Sequence, residues 1–123
     1  MPQFLEDLKG TFELVLFTAS VKEYADWICD EIDPERLMTT RLYRNHCTKK
    51  QGMYVKDLSL LGRDLSKTII IDNLFESFYD HPDNGILIEN WYDDMEDKEL
   101  FVLTGFLKQM AENEVPDVRE ELR

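Results

Sequence analysis

The run Thr68, Ile69, Ile70, Ile71 stops abruptly at Asp72 and Asn73. So short an apolar run, ended by two polar residues, reads as a strand buried on both faces, as in a parallel sheet covered by helices. Asp72 and Asn73 then stand at the carboxyl end of that strand, where open α/β sheets carry their ligand-binding crevices. Spacing alone leaves a second reading open, in which the Asp-Asn pair merely opens a turn or caps a helix.

The remaining chain supplies partners for such a strand. Pro2, Phe4, Leu5, Leu8 and Gly10 outline a short helix with Pro at its start and Gly at its end. Phe12 to Thr18 is dense in β-formers and reads as a second buried strand. Ser20 is expected to cap a helix over Val21 to Ile32, with Glu23 completing a capping box. Tyr24, Trp27, Ile28 and Ile32 form the stripe expected to pack on the sheet, and Asp33-Pro34 stops the helix. Thr40 to Asp57 reads as short strands or an irregular excursion, with turn chemistry at Lys50-Gln51-Gly52 and Lys56 closing an apolar piece.

Ile86 to Ile88 predicts a further strand, and Leu100, Leu103, Phe106, Leu107 and Met110 mark the core face of a helix over 97–113. The acidic cluster Asp93, Asp94, Glu96 and Asp97 suits that helix's N-terminus without any cation. Val118 and Leu122 are available to anchor the charged tail.

With 123 residues the chain is expected to form one domain. Fourteen basic residues against 26 acidic ones leave a net charge of −12, which disfavours nucleic acid and anionic membranes as partners. Cys29 and Cys47 form no disulfide or zinc pattern, and no segment reads as a signal peptide or membrane span. These features lead to the expectation of an intracellular protein, nuclear or cytoplasmic, without direct membrane insertion.

Thr18 at the end of one strand, Lys56 after the excursion, and Asp72 with Asn73 at the end of another converge if those strands are parallel neighbours. A Thr hydroxyl and a Lys ammonium suit phosphate oxygens, and Asp and Asn supply hard oxygen ligands for Mg²⁺. No nucleophile is visible. His46 and His81 lack a Ser or Cys partner in any hydrolase motif and read as surface or packing residues.

The blocks FELVLFTASVKEYAD, RLYRNHC, YVKDLSLLGRDLSKTIIIDN and HPDNGILIENWYDD, in that order, resemble the small C-terminal-domain phosphatase family of the haloacid dehalogenase superfamily. The small-phosphatase-like subgroup is closest. The resemblance implies a three-layer α/β/α Rossmannoid parallel sheet with a small β excursion, residues 1–123 forming part of that domain. It implies Mg²⁺-dependent removal of phosphate from Ser/Thr in a phosphoprotein, by in-line attack of an Asp and hydrolysis of the aspartyl phosphate. Thr18 is similar to the family's phosphate-binding hydroxyl, and Lys56 to the Lys that holds the phosphoryl group. Asp72 resembles the Mg²⁺-ligating carboxylate with Asn73 as its neighbour. Arg44 resembles an Arg near the substrate phosphate, and Val21 an apolar residue lining the peptide groove.

The family's DxDx(T/V) motif, which carries nucleophile and general acid on the first central strand, does not occur in these residues. Leu74 and Phe75 also stand where relatives tend to have Ser-Pro. The expectation is a truncated or degenerate domain that does not turn over substrate alone, the alternative being a non-catalytic phosphopeptide-binding or regulatory module. Without the central strand, the Thr18 and Asp72 strands would pair directly or take a strand from another chain or copy, giving a dimer, a strand-exchanged assembly or a marginal monomer.

Overall fold

The computed structural model describes residues 2–88 and 97–122. The chain forms two compact units, one of residues 1–47 with 96–109, the other of residues 48–95 with 110–123.

In the first unit, α1 (Pro2–Leu8) buries Phe4, Leu5 and Leu8. Strand β1 (Val15–Phe17) is followed by α2 (Lys22–Ile32) and β2 (Thr40–Leu42), and the two strands pair in parallel with Val15 opposite Thr40 and Phe17 opposite Leu42. Parallel neighbours need a crossover of this kind, and α2 supplies it. Leu5, Cys29 and Met38 form the core here, with Leu14, Leu16 and Leu37 packed against them.

Two expectations for α2 are corrected. The helix starts at Lys22 with Val21 at the N-cap, so Ser20 lies one residue too far out to cap it and the capping box does not form. The Ser20 N–H instead donates to Thr18 Oγ1 at 3.1 Å. The buried stripe is Ala25 and Cys29, while Tyr24 and Trp27 are 54% and 66% exposed. Small side chains spaced i, i+4 let a helix approach its neighbours closely, and the bulky row beside them is left facing solvent. Asp33 is almost wholly buried and accepts the N–H groups of Leu37 and Met38 at 2.7 and 2.9 Å. It thereby satisfies the backbone of the turn that ends α2 and leads towards β2.

In the second unit, β3 (Thr48–Lys50) and β4 (Met53–Val55) form an antiparallel hairpin. Its two turn residues, Gln51 and Gly52, both take positive φ, 51° and 79°, as a type I′ turn demands. Strand β5 (Ile70–Asp72) pairs in parallel with β6 (Gly85–Leu87), Ile70 opposite Gly85 and Asp72 opposite Leu87. Leu58, Ile70 and Phe78 form the core between them and the short 3₁₀ turns, with Leu61 and Leu65 at its margin. Buried Asn84 donates to the carbonyls of Leu65 and Thr68 at 2.8 and 2.9 Å, closing the loop that feeds β5.

The α/β class, the small β excursion and the parallel pairs agree with expectation. The strands are shorter than their apolar runs, and β6 begins at Gly85 with Leu87 53% exposed rather than spanning Ile86 to Ile88. Strands β1 and β5 belong to separate two-stranded sheets, so among the described residues the expected direct pairing between them does not occur. Helix α3 (Asp97–Glu112) contributes to both units. It buries Leu107 and Met110 as its periodicity requires, but Phe106 is 38% exposed. Asp93, Asp94 and Glu96, and the side chains of Asp97 and Leu100, lie outside the described residues. Helix α4 (Val118–Leu122) buries Val118.

Candidate functional site

Strand β4 ends in fully buried Val55, which carries the next residue, Lys56, into the interior of the second unit with 7% of its surface exposed. Strand β5 delivers Asp72 as its last residue, equally buried. The two meet: the Lys56 ammonium is paired with Asp72 Oδ2. Asp72 Oδ1 accepts the Leu74 N–H at 2.9 Å, and the Asp72 carbonyl accepts the Ile88 N–H at 2.9 Å. Asp72 therefore ends a strand and opens a turn at once, the local geometry that both readings of Asp72-Asn73 require. The backbone N–H of Lys56 donates to the Ser77 carbonyl at 2.7 Å, fastening the end of β4 to the loop that leaves Asp72. Two opposite charges out of water are sustained only by such pairing and hydrogen bonding.

The first unit gathers a second set. The Thr18 N–H extends the β1–β2 ladder to the Leu42 carbonyl at 3.0 Å, which leaves its Oγ1 to hold the Ser20 N–H. Arg44 is bound to the same loop, its Nε donating to the Ala19 carbonyl at 2.7 Å and its backbone N–H to the Ser20 carbonyl at 3.0 Å. Val21, at the end of that loop, is 45% exposed. The residues singled out from sequence thus fall into two groups, Thr18, Val21 and Arg44 in one unit and Lys56, Asp72 and Asn73 in the other.

Two further clusters lie outside the residues singled out from sequence, although the i, i+4 spacing of Lys22 and Asp26 is a helical pairing signal. Asp26 accepts from Lys22 at 2.7 Å, Arg41 Nη1 at 3.0 Å and the Tyr43 hydroxyl at 2.5 Å. These contacts, Lys22 and Tyr43 foremost, hold its carboxyl well below the usual carboxylate range. Arg41 is 4% exposed at its side chain and also reaches Asp30 at 3.2 Å. In the second unit His81 Nε2 lies 2.9 Å from Asp57 Oδ1, which also takes the Ser59 N–H and hydroxyl at 3.0 and 2.6 Å. Ser59 first, then His81, keep the Asp57 carboxyl below its ordinary range. Residues 24 positions apart leave no periodicity by which such a pair could be read in advance.

Among the described residues, no group of three or more His, Cys, Asp or Glu is gathered as for a metal held by protein alone. Asp72 with its neighbour Asn73 fits a narrower role, one carboxylate for a Mg²⁺ that takes its other ligands from water and phosphate. Lys56 would share that carboxylate with the ion.

Residues 1–119 match the family of NLI interacting factor-like phosphatases. The chain is 49% identical over 121 residues to CTD small phosphatase-like protein 3 of Caenorhabditis elegans, covering 98% of this chain and 42% of that protein. It is 45% identical over 109 residues to human carboxy-terminal domain RNA polymerase II polypeptide A small phosphatase 2, covering 89% of this chain and 40% of the relative. The chain thus spans less than half the length of these relatives. Its fold is like that of Fcp1, an essential RNA polymerase II CTD phosphatase, with a TM-score of 0.59 at 22% identity over 89% of this chain and 33% of that one. The chain belongs to the NLI interacting factor-like phosphatase family.

Proposed function

We propose that Lys56, Asp72 and Asn73 form the phosphate-holding part of a protein serine/threonine phosphatase domain of the RNA polymerase II C-terminal-domain type. The observation that carries this reading is the buried Lys56–Asp72 pair at the carboxyl ends of β4 and β5. A Lys ammonium fixed by a carboxylate and by its own backbone is a pre-organised cation for phosphoryl oxygens, and it needs no rearrangement when charge develops there. In the first unit the family resemblance gives Thr18 and Arg44 the role of a hydroxyl and a guanidinium of the kind that orient a phosphate, and Val21 that of an apolar contact to a peptide. Asp72 and Asn73 would hold Mg²⁺, which when bound adds positive charge at the phosphate oxygens.

Stabilising charge is not the same as breaking the P–O bond. Lys56, Thr18 and Asp72 neither attack phosphorus nor protonate the leaving serine oxygen, and the DxDx(T/V) carboxylates that would do so are not in this sequence. The residues present are therefore expected to bind a phosphopeptide and turn it over only when that strand is supplied. The test measures phosphoserine-peptide affinity and Mg²⁺-dependent phosphate release, with and without an added polypeptide carrying the strand. Binding by the chain alone, and release only with the strand and only with Lys56 intact, supports the proposal. Release by the chain alone overturns it. Binding without release in both mixtures selects the regulatory-module reading instead.

A further inference from the structure

Lys56 is held at more than its ammonium. The loop that leaves Asp72 returns to the end of β4 at three successive points: Asp72 on the Lys56 ammonium, the Ser77 carbonyl on the Lys56 N–H at 2.7 Å, and His81 Nε2 on Asp57 Oδ1 at 2.9 Å. The last contact is well shielded, with the His81 and Asp57 side chains 14% and 21% exposed. Both ends of it are anchored. Asp57 caps the 3₁₀ turn Leu58–Leu61 through Ser59, and His81 is fixed by its own N–H to the Phe78 carbonyl at 2.9 Å and by its carbonyl to the Asn84 N–H at 3.0 Å. Phe78 is itself buried in the core of the unit.

We infer that Asp57 and His81 are a positioning pair for Lys56: they clamp the residue after it to the far end of the Asp72 loop and so fix where the ammonium points. The Ser77 bond by itself leaves a hinge, because one backbone hydrogen bond restrains position but not rotation about the chain. A second restraint one residue further along the chain removes that rotation. Lys side chains are flexible, strongly hydrated and costly to order, so a buried one that must meet a ligand in one pose gains from a rigid main chain beneath it. The neighbouring Lys50–Asp80 contact, at 2.5 Å, joins the same two segments but is half exposed at Lys50 and is not expected to substitute. The inference rests on the reading of Lys56 as a phosphate-binding residue, and extends it to a pair that touches no phosphate.

The experiment uses the whole chain and two readouts. One is the ¹⁵N signal of the Lys56 ζ-ammonium in lysine-labelled protein without ligand, assigned with Lys56→Arg. The other is affinity for a phosphoserine peptide. His81→Phe keeps the ring and removes the nitrogen, and His81→Gln places an amide near the same point. With His81→Phe the protected ammonium signal should broaden or vanish, and peptide affinity should fall on the order of tenfold, the scale at which hydrogen bonds supporting a binding group act. His81→Gln should restore both. An unchanged ammonium signal and unchanged affinity in a folded His81→Phe protein overturn the inference, as does loss of affinity that His81→Gln does not recover. If His81→Phe folds poorly, Asp57→Ala, which removes the oxygen that His81 Nε2 meets, must still disturb the ammonium signal, and failure to do so overturns it. If the wild-type chain binds no phosphopeptide while the ammonium signal still follows His81, the site reading fails and the positioning pair stands.

Discussion

The Lys56 ammonium and the Asp72 carboxylate meet with 9% and 7% of their side chains exposed, each the other's main compensation for leaving water. Removing one partner strands the other. Lys56→Met is expected to destabilise the fold by about 3–5 kcal/mol, the usual cost of an uncompensated buried charge. Lys56→Met with Asp72→Asn should recover a large part of that loss, since neither charge then remains. Urea unfolding of the single and double variants measures the difference. Equal midpoints for the two would mean that water, rather than Lys56, satisfies Asp72.

Much of this site was legible because its chemistry sits at strand ends. The stop from Ile71 to Asp72 marks the end of the strand while the chain is still buried, and Lys56 closes a short apolar piece in the same manner. What could not be read was which groups face each other. Thr18 and Lys56 look alike in sequence, each a polar residue after β-formers, yet they stand in different units. Pairs such as Asp57–His81 and Asp26–Arg41 depend on loop return and on a parallel crossover, which no local pattern records.

On α2, residue size outweighs hydrophobicity in choosing the packed face. Tyr24 and Trp27 carry more apolar area than Ala25 and Cys29, yet the helix packs through the small pair and the aromatic rings lean on each other, 6.3 Å between centroids. Trp27→Ala should therefore change stability by no more than about 0.5 kcal/mol, as for other exposed sites. Leu5→Ala, in the core beside Cys29, should cost about 2–5 kcal/mol. Thermal unfolding of the two variants distinguishes them. A larger loss for Trp27→Ala would place that ring in a contact that its exposure excludes.

Asp26 makes the first unit acid-sensitive. Lys22, Tyr43 and Arg41 favour its charged form, so its folded carboxyl binds a proton less readily than the unfolded one. The unfolded chain then takes up more protons below about pH 4, where an ordinary Asp titrates, and stability falls as pH falls. The contribution is fully present above that range and is lost progressively below it. Asp57 and Asp64 act in the same direction, both lowered chiefly by hydrogen bonds from neighbouring serines. Urea midpoints measured from pH 6 to pH 3 should decline, and Asp26→Asn should flatten that decline. An unaltered slope in the variant would assign the acid sensitivity to other carboxylates.

Gly85 tests how tightly the core holds Asp72. A Cβ at Gly85 would lie 2.1 Å from Phe78 Cε2 and 2.2 Å from Cδ2, and Phe78 is 2% exposed with no open side to move into. Gly85→Ala is thus expected to lose about 1–3 kcal/mol through overpacking, more than the modest gain from stiffening a strand glycine. Phe78→Leu in the same chain should recover part of it, because the two residues are in contact and their effects are not additive. The effect should also reach the site. Gly85 begins β6, which pairs with β5 through Leu87 opposite Asp72, and the Asp72 carbonyl accepts the Ile88 N–H at 2.9 Å. Displacing β6 pulls on the residue that carries the Lys56 partner, so phosphopeptide affinity should drop in Gly85→Ala and return with Phe78→Leu. A loss of stability with affinity unchanged would separate Asp72 from the packing of β6 and leave Lys56 and the Leu74 N–H as its anchors.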